Sequence, residues 1–158
     1  MSTTTIEEVE KLCRKRGLRL TPLRADVLRL VAESPRAVKA YDVLERIRAS
    51  KAITAPPTVY RSLDFLLENG FIHKLESLNA YVACHAPQTI HTGTFLICDD
   101  CHAAIELLDE RVDHLLRKRA RATGFTPRIG TQTLELHGLC NACTSNDPTQ
   151  TMEAPRLG

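Results

Sequence analysis

Apolar residues recur every three or four positions in four segments of the N-terminal half, the spacing that buries one face of a helix. Residues that start and stop helices bound these segments. Thr21 is a suitable N-cap and Pro22 suits the first helical position, while Asn69-Gly70 ends the fourth segment. The pattern predicts helices over about residues 6–17, 22–34, 40–50 and 56–69.

Two segments after the fourth helix have the composition and length of β-strands. FIHKLE (71–76) and AYVACH (80–85) are separated by a turn at 77–79 and predict a hairpin. Helices followed by a hairpin are typical of a winged helix-turn-helix, whose last helix before the hairpin enters the major groove of DNA. Arg61 lies on the polar face of that helix. The apolar face consists of Val59, Leu63, Leu66 and Leu67.

The C-terminal half combines strands with one helix. TGTFLIC (92–98) and TQTLELHGLC (131–140) predict strands, and a helix is predicted from 105 to about 123 between them. Its inward residues are expected to be Ile105, Leu108, Val112, Leu115 and Leu116. The expected fold class is α+β, an N-terminal winged helix-turn-helix followed by a small C-terminal α/β unit. Residues 144–158 are polar, contain proline and are predicted to be disordered.

Composition restricts the class of protein. Of the 158 residues 43% are hydrophobic, enough for a core, and tryptophan is absent, so packing relies on aliphatic side chains. No apolar run approaches the roughly 18 residues of a membrane span, and the acidic N-terminus lacks the apolar region of a secretory signal. A cytoplasmic location is therefore expected. Six cysteines in a reducing compartment favour metal binding over disulfides.

Charge is unevenly distributed along the chain. Residues 1–75 contain 14 Lys and Arg against 9 Asp and Glu, whereas residues 76–158 contain 7 against 10. The basic excess coincides with the predicted winged helix and makes it a candidate for binding a polyanion. An ordinary basic surface would have the same composition, so the charge alone leaves both interpretations open.

Two Cys-x-x-Cys pairs carry the strongest chemical signal, Cys98/Cys101 and Cys140/Cys143. Each pair can present two thiolates to one ion, and four thiolates form a closed tetrahedral zinc site with no position for water. Such a site is structural, and it would join the two ends of the C-terminal half. Two disulfides or redox pairs are the alternative. Cys13 falls on the apolar stripe of the first helix, which favours a core role over a ligand role.

A second set of possible ligands lies around the boundary between the two halves. It contains one thiol, two imidazoles and one carboxylate, a combination that suits tetrahedral zinc: Cys84, His73, His91 and Glu106. A metal bound there would fix the angle between the halves. The alternative for Glu106 is a solvated acid in the first turn of the predicted helix. His85, next to Cys84, is expected to be solvated.

Five segments match one family pattern. They are RLTPLR (19–24), AYDVLERIR (40–48), PPTVYRSLDFLLENGFIHKLESLNAYVACH (56–85), HTGTFLICDDCHAAIE (91–106) and HGLCNAC (137–143). With these, over about residues 6–143, the chain resembles the Fur family of metalloregulators, and within it the zinc-uptake (Zur) branch. The His-His-Asp-His run of iron-responsive members is missing, since QTIHTGTFLI stands there. The soft ligand Cys84 also favours zinc over iron or manganese.

The resemblance implies a winged-helix DNA-binding domain over 1–85, a hinge over 86–92, a dimerisation domain over 93–143 and a tail over 144–158. It implies two zinc ions per chain, a structural one on the four paired cysteines and a regulatory one on His73, Cys84, His91 and Glu106. The partners implied are double-stranded operator DNA and a second copy of the chain, with one or two dimers on each operator. The residues expected at the DNA are Tyr41, Thr58, Tyr60 and Arg61.

The function implied is a zinc-responsive transcriptional regulator, mainly a repressor, of zinc uptake and homeostasis genes. It would bind palindromic operator DNA when the regulatory site is filled. An enzyme is not expected, because hydrolytic zinc needs an open coordination position and the deaminase pattern is absent, since Cys98 follows Ile97 rather than proline. Two alternatives stay open: a thiol-based redox sensor acting through the Cys pairs, and a Fur-family regulator of another metal.

Overall fold

Four helices and a hairpin form the N-terminal part of the chain, in the order that the apolar pattern predicts. The computed structural model describes residues 6–50, 55–89, 91–128 and 133–145. The elements of this winged-helix part are α1 (Ile6–Lys15), α2 (Pro22–Ala32), α3 (Ala40–Ser50), α4 (Pro56–Glu68), β1 (Ile72–Leu75) and β2 (Ala80–Ala83). The predicted helices and strands are confirmed, with ends that differ by about two residues.

Capping residues explain where α2 begins and where α4 ends. The Thr21 hydroxyl accepts a hydrogen bond from the Arg24 N–H at 3.4 Å, and Pro22 starts α2 with its φ already near the helical value. α4 ends at Glu68 with Asn69 as its C-cap, and Gly70 follows with a φ of 71°. Glycine adopts this left-handed conformation without steric cost and turns the chain into β1.

The four helices pack around one apolar core. It includes Val27, Leu28, Val31, Val43, Leu44, Ile47, Val59, Leu63 and Leu66, all buried. Cys13 is buried in the same core, as its place on the apolar stripe of α1 predicts. The polar face of α4, with Arg61, Asp64 and Glu68, stays exposed. This face is therefore free to contact a partner outside the chain.

The hairpin is attached to the helical core and completes the winged helix. β1 and β2 pair antiparallel, with His73 opposite Val82. Val38, just before α3, adds a bridge to Tyr81 through two backbone hydrogen bonds of 2.8 and 2.9 Å. On β1, Ile72 and Leu75 are buried and hold the hairpin in place.

A three-stranded sheet forms the C-terminal part. Its elements are β3 (Gly93–Cys98), β4 (Ala104–Glu106), α5 (Glu110–Ala122), β5 (Thr133–Gly138) and α6 (Asn141–Thr144). The strand order is β4-β3-β5, with β4 antiparallel and β5 parallel to the central β3. The predicted α+β class is confirmed, and we call this sheet the C-terminal sheet.

The prediction that a helix begins at Ile105 was wrong. Residues 104–106 form β4, and Glu106 is its last residue, opposite Phe95. α5 begins only after the N-cap Asp109, whose side chain accepts a hydrogen bond from the Arg111 N–H at 2.9 Å. The chain turns back along β3 after Cys101, and pairing with that strand overrides the local helical spacing of the apolar residues. Glu106 is thus a buried strand residue and not a solvated first-turn acid.

The prediction that the apolar residues of this segment point inward was also wrong for the single chain. Ile105, Leu108, Leu115 and Leu116 are 44 to 53% exposed, and α5 has no buried residue. The outer face of the C-terminal sheet is likewise apolar and exposed, with Leu96, Ile105, Leu134 and Leu136. This face of the sheet points away from the hairpin, because strand residues alternate between the two faces.

The described part of the chain ends at residue 145. The predicted disordered tail begins one residue too early, since Thr144 is the last residue of α6. The rest of that prediction, residues 146–158, lies outside the described residues. No helix within the described ranges is both long enough and apolar enough to cross a membrane.

Candidate metal centres

The two Cys-x-x-Cys pairs meet at one end of the C-terminal sheet. β3 and β5 run parallel with Cys98 opposite Gly138, so the chain leaves both strands at neighbouring points. The Asp99 N–H donates to the Gly138 carbonyl at 2.8 Å and holds the two turns together. The four sulfurs lie within 4.8 Å of one another and form what we call the cysteine cluster: Cys98, Cys101, Cys140 and Cys143.

The spacing of these sulfurs matches a tetrahedral site. Cys101 Sγ and Cys140 Sγ are 3.8 Å apart. Zinc–sulfur bonds of about 2.3 Å in a tetrahedron give sulfur–sulfur edges of about 3.8 Å. The Cys140 N–H also points at Cys98 Sγ, at 3.4 Å. The four residues thus fit one zinc ion with no position left for water.

The electrostatics of the cysteine cluster also favour a cation. The backbone N–H groups of Cys101 and then Cys140 lower the pKa of Cys98 to about 6, so its sulfur is ionised at neutral pH. The Asp100 side chain and the neighbouring sulfurs raise the pKa of Cys143. Four adjacent thiols cannot all ionise beside one another unless a positive ion offsets their repulsion.

The second predicted set of ligands also converges, on a point between the winged-helix part and the C-terminal sheet. His73 comes from β1, Cys84 follows β2, His91 lies in the connection before β3, and Glu106 ends β4. Their ligand atoms lie within 4.8 Å of one another. We call these four residues the joint cluster.

Distances in the joint cluster suit a small cation. Glu106 Oε1 lies 3.1 Å from His73 Nε2 and 2.9 Å from His91 Nε2, and Cys84 Sγ lies 3.7 Å from His91 Nε2. Tetrahedral zinc with nitrogen and oxygen ligands at about 2.0 Å has edges of about 3.3 Å between them, and of about 3.5 Å to sulfur.

An unpartnered nitrogen supports the same interpretation. His73 Nε2 is buried and has no hydrogen bond of acceptable geometry, although it faces the Glu106 carboxylate. Buried polar atoms normally have a partner. A nitrogen left without one, beside a buried thiol and a buried carboxylate, is placed to bind a metal ion.

Charges of opposite sign face one another in the joint cluster. Burial lowers the pKa of His73, but Cys84 and Glu106 outweigh it and raise that pKa to about 9. Hydrogen bonds to Cys84 and Glu106 raise the pKa of His91 to about 10. Burial raises the pKa values of Cys84 and Glu106, and the two neighbouring histidines outweigh it and hold both pKa values low. A metal ion must displace the histidine protons, because only a neutral imidazole is a ligand.

Neighbouring groups orient the ligands of the joint cluster. His91 Nδ1 lies 3.1 Å from the Thr89 carbonyl, which leaves Nε2 to face the cluster. The His85 N–H and Nδ1 lie 2.8 and 2.9 Å from Glu106 Oε2, so Oε1 is the oxygen that remains for a metal. His85 is exposed, as expected, but its contact with Glu106 was not part of that expectation. No local pattern predicts this contact, because it depends on where β4 lies.

Gly93 is a second residue that the sequence analysis missed. A Cβ atom at this position would lie 2.8 Å from His73 Nδ1 and 2.8 Å from Phe95 Cε2. Only glycine lets β3 approach the His73 ring this closely. Gly93 therefore allows the ring to reach the joint cluster, and a lone glycine at a strand end gives no such signal in the sequence.

The residues expected at the DNA are all exposed on the winged-helix part. Tyr41, the second residue of α3, is 64% exposed, and Thr58, Tyr60 and Arg61 are exposed on α4. None of them belongs to either cluster. Their side chains are therefore available to a partner outside the chain.

A winged helix joined by a four-ligand cluster to a sheet with its own cysteine cluster is the arrangement of a metal-responsive DNA-binding regulator. The Ferric uptake regulator family matches residues 15–137, and the chain belongs to that family. The resemblance inferred from the sequence is confirmed. The chain is 46% identical over 148 residues to the zinc uptake regulation protein of Escherichia coli. The matched region covers 90% of this chain and 85% of that protein.

Solved structures of related proteins have the same fold. One is described as "Zinc Uptake Regulator Complexed With Zinc AND DNA". It is 45% identical, the match covers 90% of this chain and 97% of that chain, and the TM-score is 0.79. The crystal structure of holo XcZur is 54% identical, the match covers 91% of this chain and 99% of that chain, and the TM-score is 0.81. The crystal structure of apo XcZur is 55% identical, the match covers 88% of this chain and 95% of that chain, and the TM-score is 0.51. At nearly equal sequence identity, this chain therefore superposes better on the holo structure than on the apo structure.

Proposed function

We propose that this chain is a zinc-responsive transcriptional regulator, mainly a repressor, of zinc uptake and homeostasis genes. The observation that carries the proposal is the joint cluster, in which two ligands of the hairpin and one of the connection after it meet Glu106 of the C-terminal sheet. Similarity to a zinc uptake regulation protein and to a regulator complexed with zinc and DNA supports it. Two zinc ions per chain are proposed, one in each cluster.

The two clusters would have different roles. Cys98, Cys101, Cys140 and Cys143 would hold a structural zinc, since all four come from two turns of the C-terminal part. His73, Cys84, His91 and Glu106 would hold the regulatory zinc, since they come from separate elements on both sides of the joint. Zinc bound there supplies a link between these elements. Four protein ligands leave no open position in either cluster, which supports a regulator rather than a hydrolytic enzyme.

The residues of the joint cluster would set the orientation of the winged helix. His73 and Cys84 are fixed to the hairpin, and Glu106 is fixed to the sheet, so binding one ion between them selects one angle among those available. The proposed domains are 1–85 and 93–143, with the hinge at 86–92 between them. These four ligands would favour this angle because they can bind one ion together only there. The charge of the ion would contribute less, since the thiolate and the carboxylate would largely offset it.

Operator binding would use two copies of the chain. The exposed apolar face with Leu96, Ile105, Leu134 and Leu136 is suited to a homodimer. A dimer places two α4 helices on half-sites about one helical turn apart, so a palindromic operator is expected. Tyr41, Thr58, Tyr60 and Arg61 are the proposed DNA contacts. A cytoplasmic location and the binding of one or two dimers to each operator are further parts of this proposal.

Zinc-buffered fluorescence anisotropy on an AT-rich palindromic duplex tests the proposal, with the zinc content of the purified protein measured alongside. We expect about one tightly held zinc per chain at low free zinc, and a second that binds together with the gain in DNA affinity. Parallel titrations with iron and manganese, and an oxidant treatment, address the two alternatives. DNA affinity that is independent of zinc, or that responds only to another metal or to oxidation, would overturn the assignment.

A further inference from the structure

A second contact joins the C-terminal sheet to the hairpin, away from both clusters. The Glu135 carboxylate on β5 accepts hydrogen bonds from the Glu76 N–H at 2.7 Å and the Ser77 N–H at 3.1 Å. These N–H groups lie in the hairpin turn, just beyond the last ladder pair, Leu75 and Ala80. A carboxylate that accepts two backbone N–H groups makes strong, charge-assisted hydrogen bonds.

Thr133, two residues earlier on β5, adds to this contact. Its hydroxyl donates to the Lys74 carbonyl at 3.1 Å. Thr133 and Glu135 share a sheet face with Gly93 and Phe95, their partners on β3. The hydrogen bonds to the hairpin are made by backbone groups of residues 74, 76 and 77, so they need no particular side chain on the hairpin.

The environment of Glu135 keeps it charged. Its side chain is 12% exposed. Burial raises the pKa of the Glu135 carboxyl, but hydrogen bonds from Ser77, Glu76 and Thr133 outweigh it and hold that pKa below its usual range. A partly buried carboxylate whose acceptors are filled by another part of the chain contributes more to orientation than an exposed ion pair does.

The position of the contact explains what it adds. The joint cluster binds the hairpin at its open end, through His73 and Cys84, whereas Glu135 binds the turn end. The two points are about 10 Å apart, at about 3.3 Å per strand residue. One anchor lets the hairpin pivot about that point, and a second anchor at the other end removes the pivot.

We propose that Glu135 and Thr133 form a second clamp, which contains no metal ligand and completes the DNA-binding orientation of the winged helix when the joint cluster is filled. The proposal rests on the proposed function and deepens it. Zinc binding at the joint cluster brings β5 to the hairpin turn, and the clamp adds its own hydrogen bonds to the arrangement that binds DNA. Glu135 and Thr133 are positioning residues, since neither is a proposed ligand or DNA contact.

The first test uses a substitution for which the charge effect and the loss of the clamp change DNA affinity in opposite directions. Glu135→Ala removes a negative charge, which by Coulomb attraction alone would strengthen DNA binding. Loss of the clamp should instead weaken zinc-activated operator binding by about 10-fold, the effect of losing a charge-assisted hydrogen bond. Glu76→Ala is the matched control: it removes the same charge from the hairpin turn, where the side chain is 71% exposed, and leaves the backbone N–H in place. We expect its affinity to be unchanged or slightly higher.

Two variants of Thr133 test the clamp independently of the Glu135 carboxylate. Thr133→Val keeps the shape and removes the hydroxyl, so operator affinity should fall, whereas Thr133→Ser keeps the donor and should restore it. Zinc content and thermal unfolding are measured for every variant. Each should bind zinc as the unchanged protein does, because no ligand is altered.

Amide hydrogen exchange observes the clamp directly. In the unchanged protein, zinc loading should slow exchange at the Glu76 and Ser77 N–H groups, and in Glu135→Ala it should not. If the unchanged protein responds to zinc while Glu135→Ala and Thr133→Val bind operator equally well and keep this protection, the clamp is overturned. If the unchanged protein itself shows no zinc-dependent DNA binding, the proposed function fails instead.

Discussion

Glu106 and Glu135 lie in one cross-strand row of the C-terminal sheet, on either side of Phe95. Both carboxylates point to the face that meets the hairpin. Glu106 reaches His73 and His91, and Glu135 reaches the hairpin turn. One sheet face thus presents a carboxylate of the joint cluster and a carboxylate held by backbone N–H groups to opposite ends of the same hairpin.

Replacing a cysteine in each cluster should separate the two proposed zinc roles. Cys98→Ser should cost much of the stability of the C-terminal part, because structural zinc sites contribute on the order of 10 kcal/mol of apparent binding energy. Cys84→Ser should keep the fold and dimer while losing zinc-activated DNA binding. Thermal unfolding, sedimentation and zinc content check both. A stable, dimeric Cys98→Ser protein with full zinc content would contradict the structural assignment.

Glu106→Gln should weaken zinc binding at the joint cluster by more than about 100-fold, since losing a ligand costs more than losing a group that orients one. The amide keeps the size and is a poor zinc donor. The His85 contacts to Oε2 remain available to the amide oxygen, so the fold should survive. Zinc titration with a competing chelator measures the loss, and Glu110→Gln, on the first turn of α5, is the control. Unchanged zinc affinity would remove Glu106 from the ligand set.

Gly93→Ala should impair the joint cluster without changing any ligand. The added Cβ would lie 2.8 Å from His73 Nδ1, so the ring must shift. We expect zinc affinity at this cluster to fall by about 10- to 100-fold, as when a ligand loses its orientation. Gly138→Ala is the matched control, because a Cβ there meets nothing within 4 Å. Equal zinc affinity in both variants would show that the His73 position tolerates the shift.

Arg61→Ala should reduce sequence discrimination more than general DNA affinity. A guanidinium on the exposed face of α4 can bind a guanine edge through two hydrogen bonds, and losing one such contact costs about 1–3 kcal/mol per half-site. Binding is measured on specific and random duplexes at several salt concentrations. Arg121→Ala, on α5, removes the same charge and should leave the ratio unchanged. An equal loss on both duplexes would mean that Arg61 contacts only phosphate.

Leu136→Glu should dissociate the proposed dimer. Leu136 is 64% exposed on the apolar face of the sheet, beside Leu96. A carboxylate buried there without a partner would be strongly unfavourable, so sedimentation should show a monomer at micromolar concentration with its zinc retained. A dimer of unchanged affinity would place the interface elsewhere.

Local signals in the sequence predicted the secondary structure of the N-terminal part and the cysteine cluster. The helices α1 to α4 and the hairpin follow from apolar spacing, from Thr21-Pro22 and from Gly70, all of which act within a few residues. The spacing of the cysteines predicted the cysteine cluster because each pair forms its own turn. The ligand set of the joint cluster came from donor chemistry together with the family resemblance.

Tertiary structure alone decided the secondary structure after Cys101 and the contacts that the C-terminal sheet makes. The apolar spacing from Ile105 onward fits a helix, yet Ala104–Glu106 forms a strand because β3 supplies backbone partners once the chain turns back at Cys101. That strand buries Glu106 and gives His85 its contact. The clamp of Glu135, the need for glycine at position 93 and the exposed apolar face all depend on residues distant in sequence. Periodicity reports which residues can share a face, and only packing determines what that face meets.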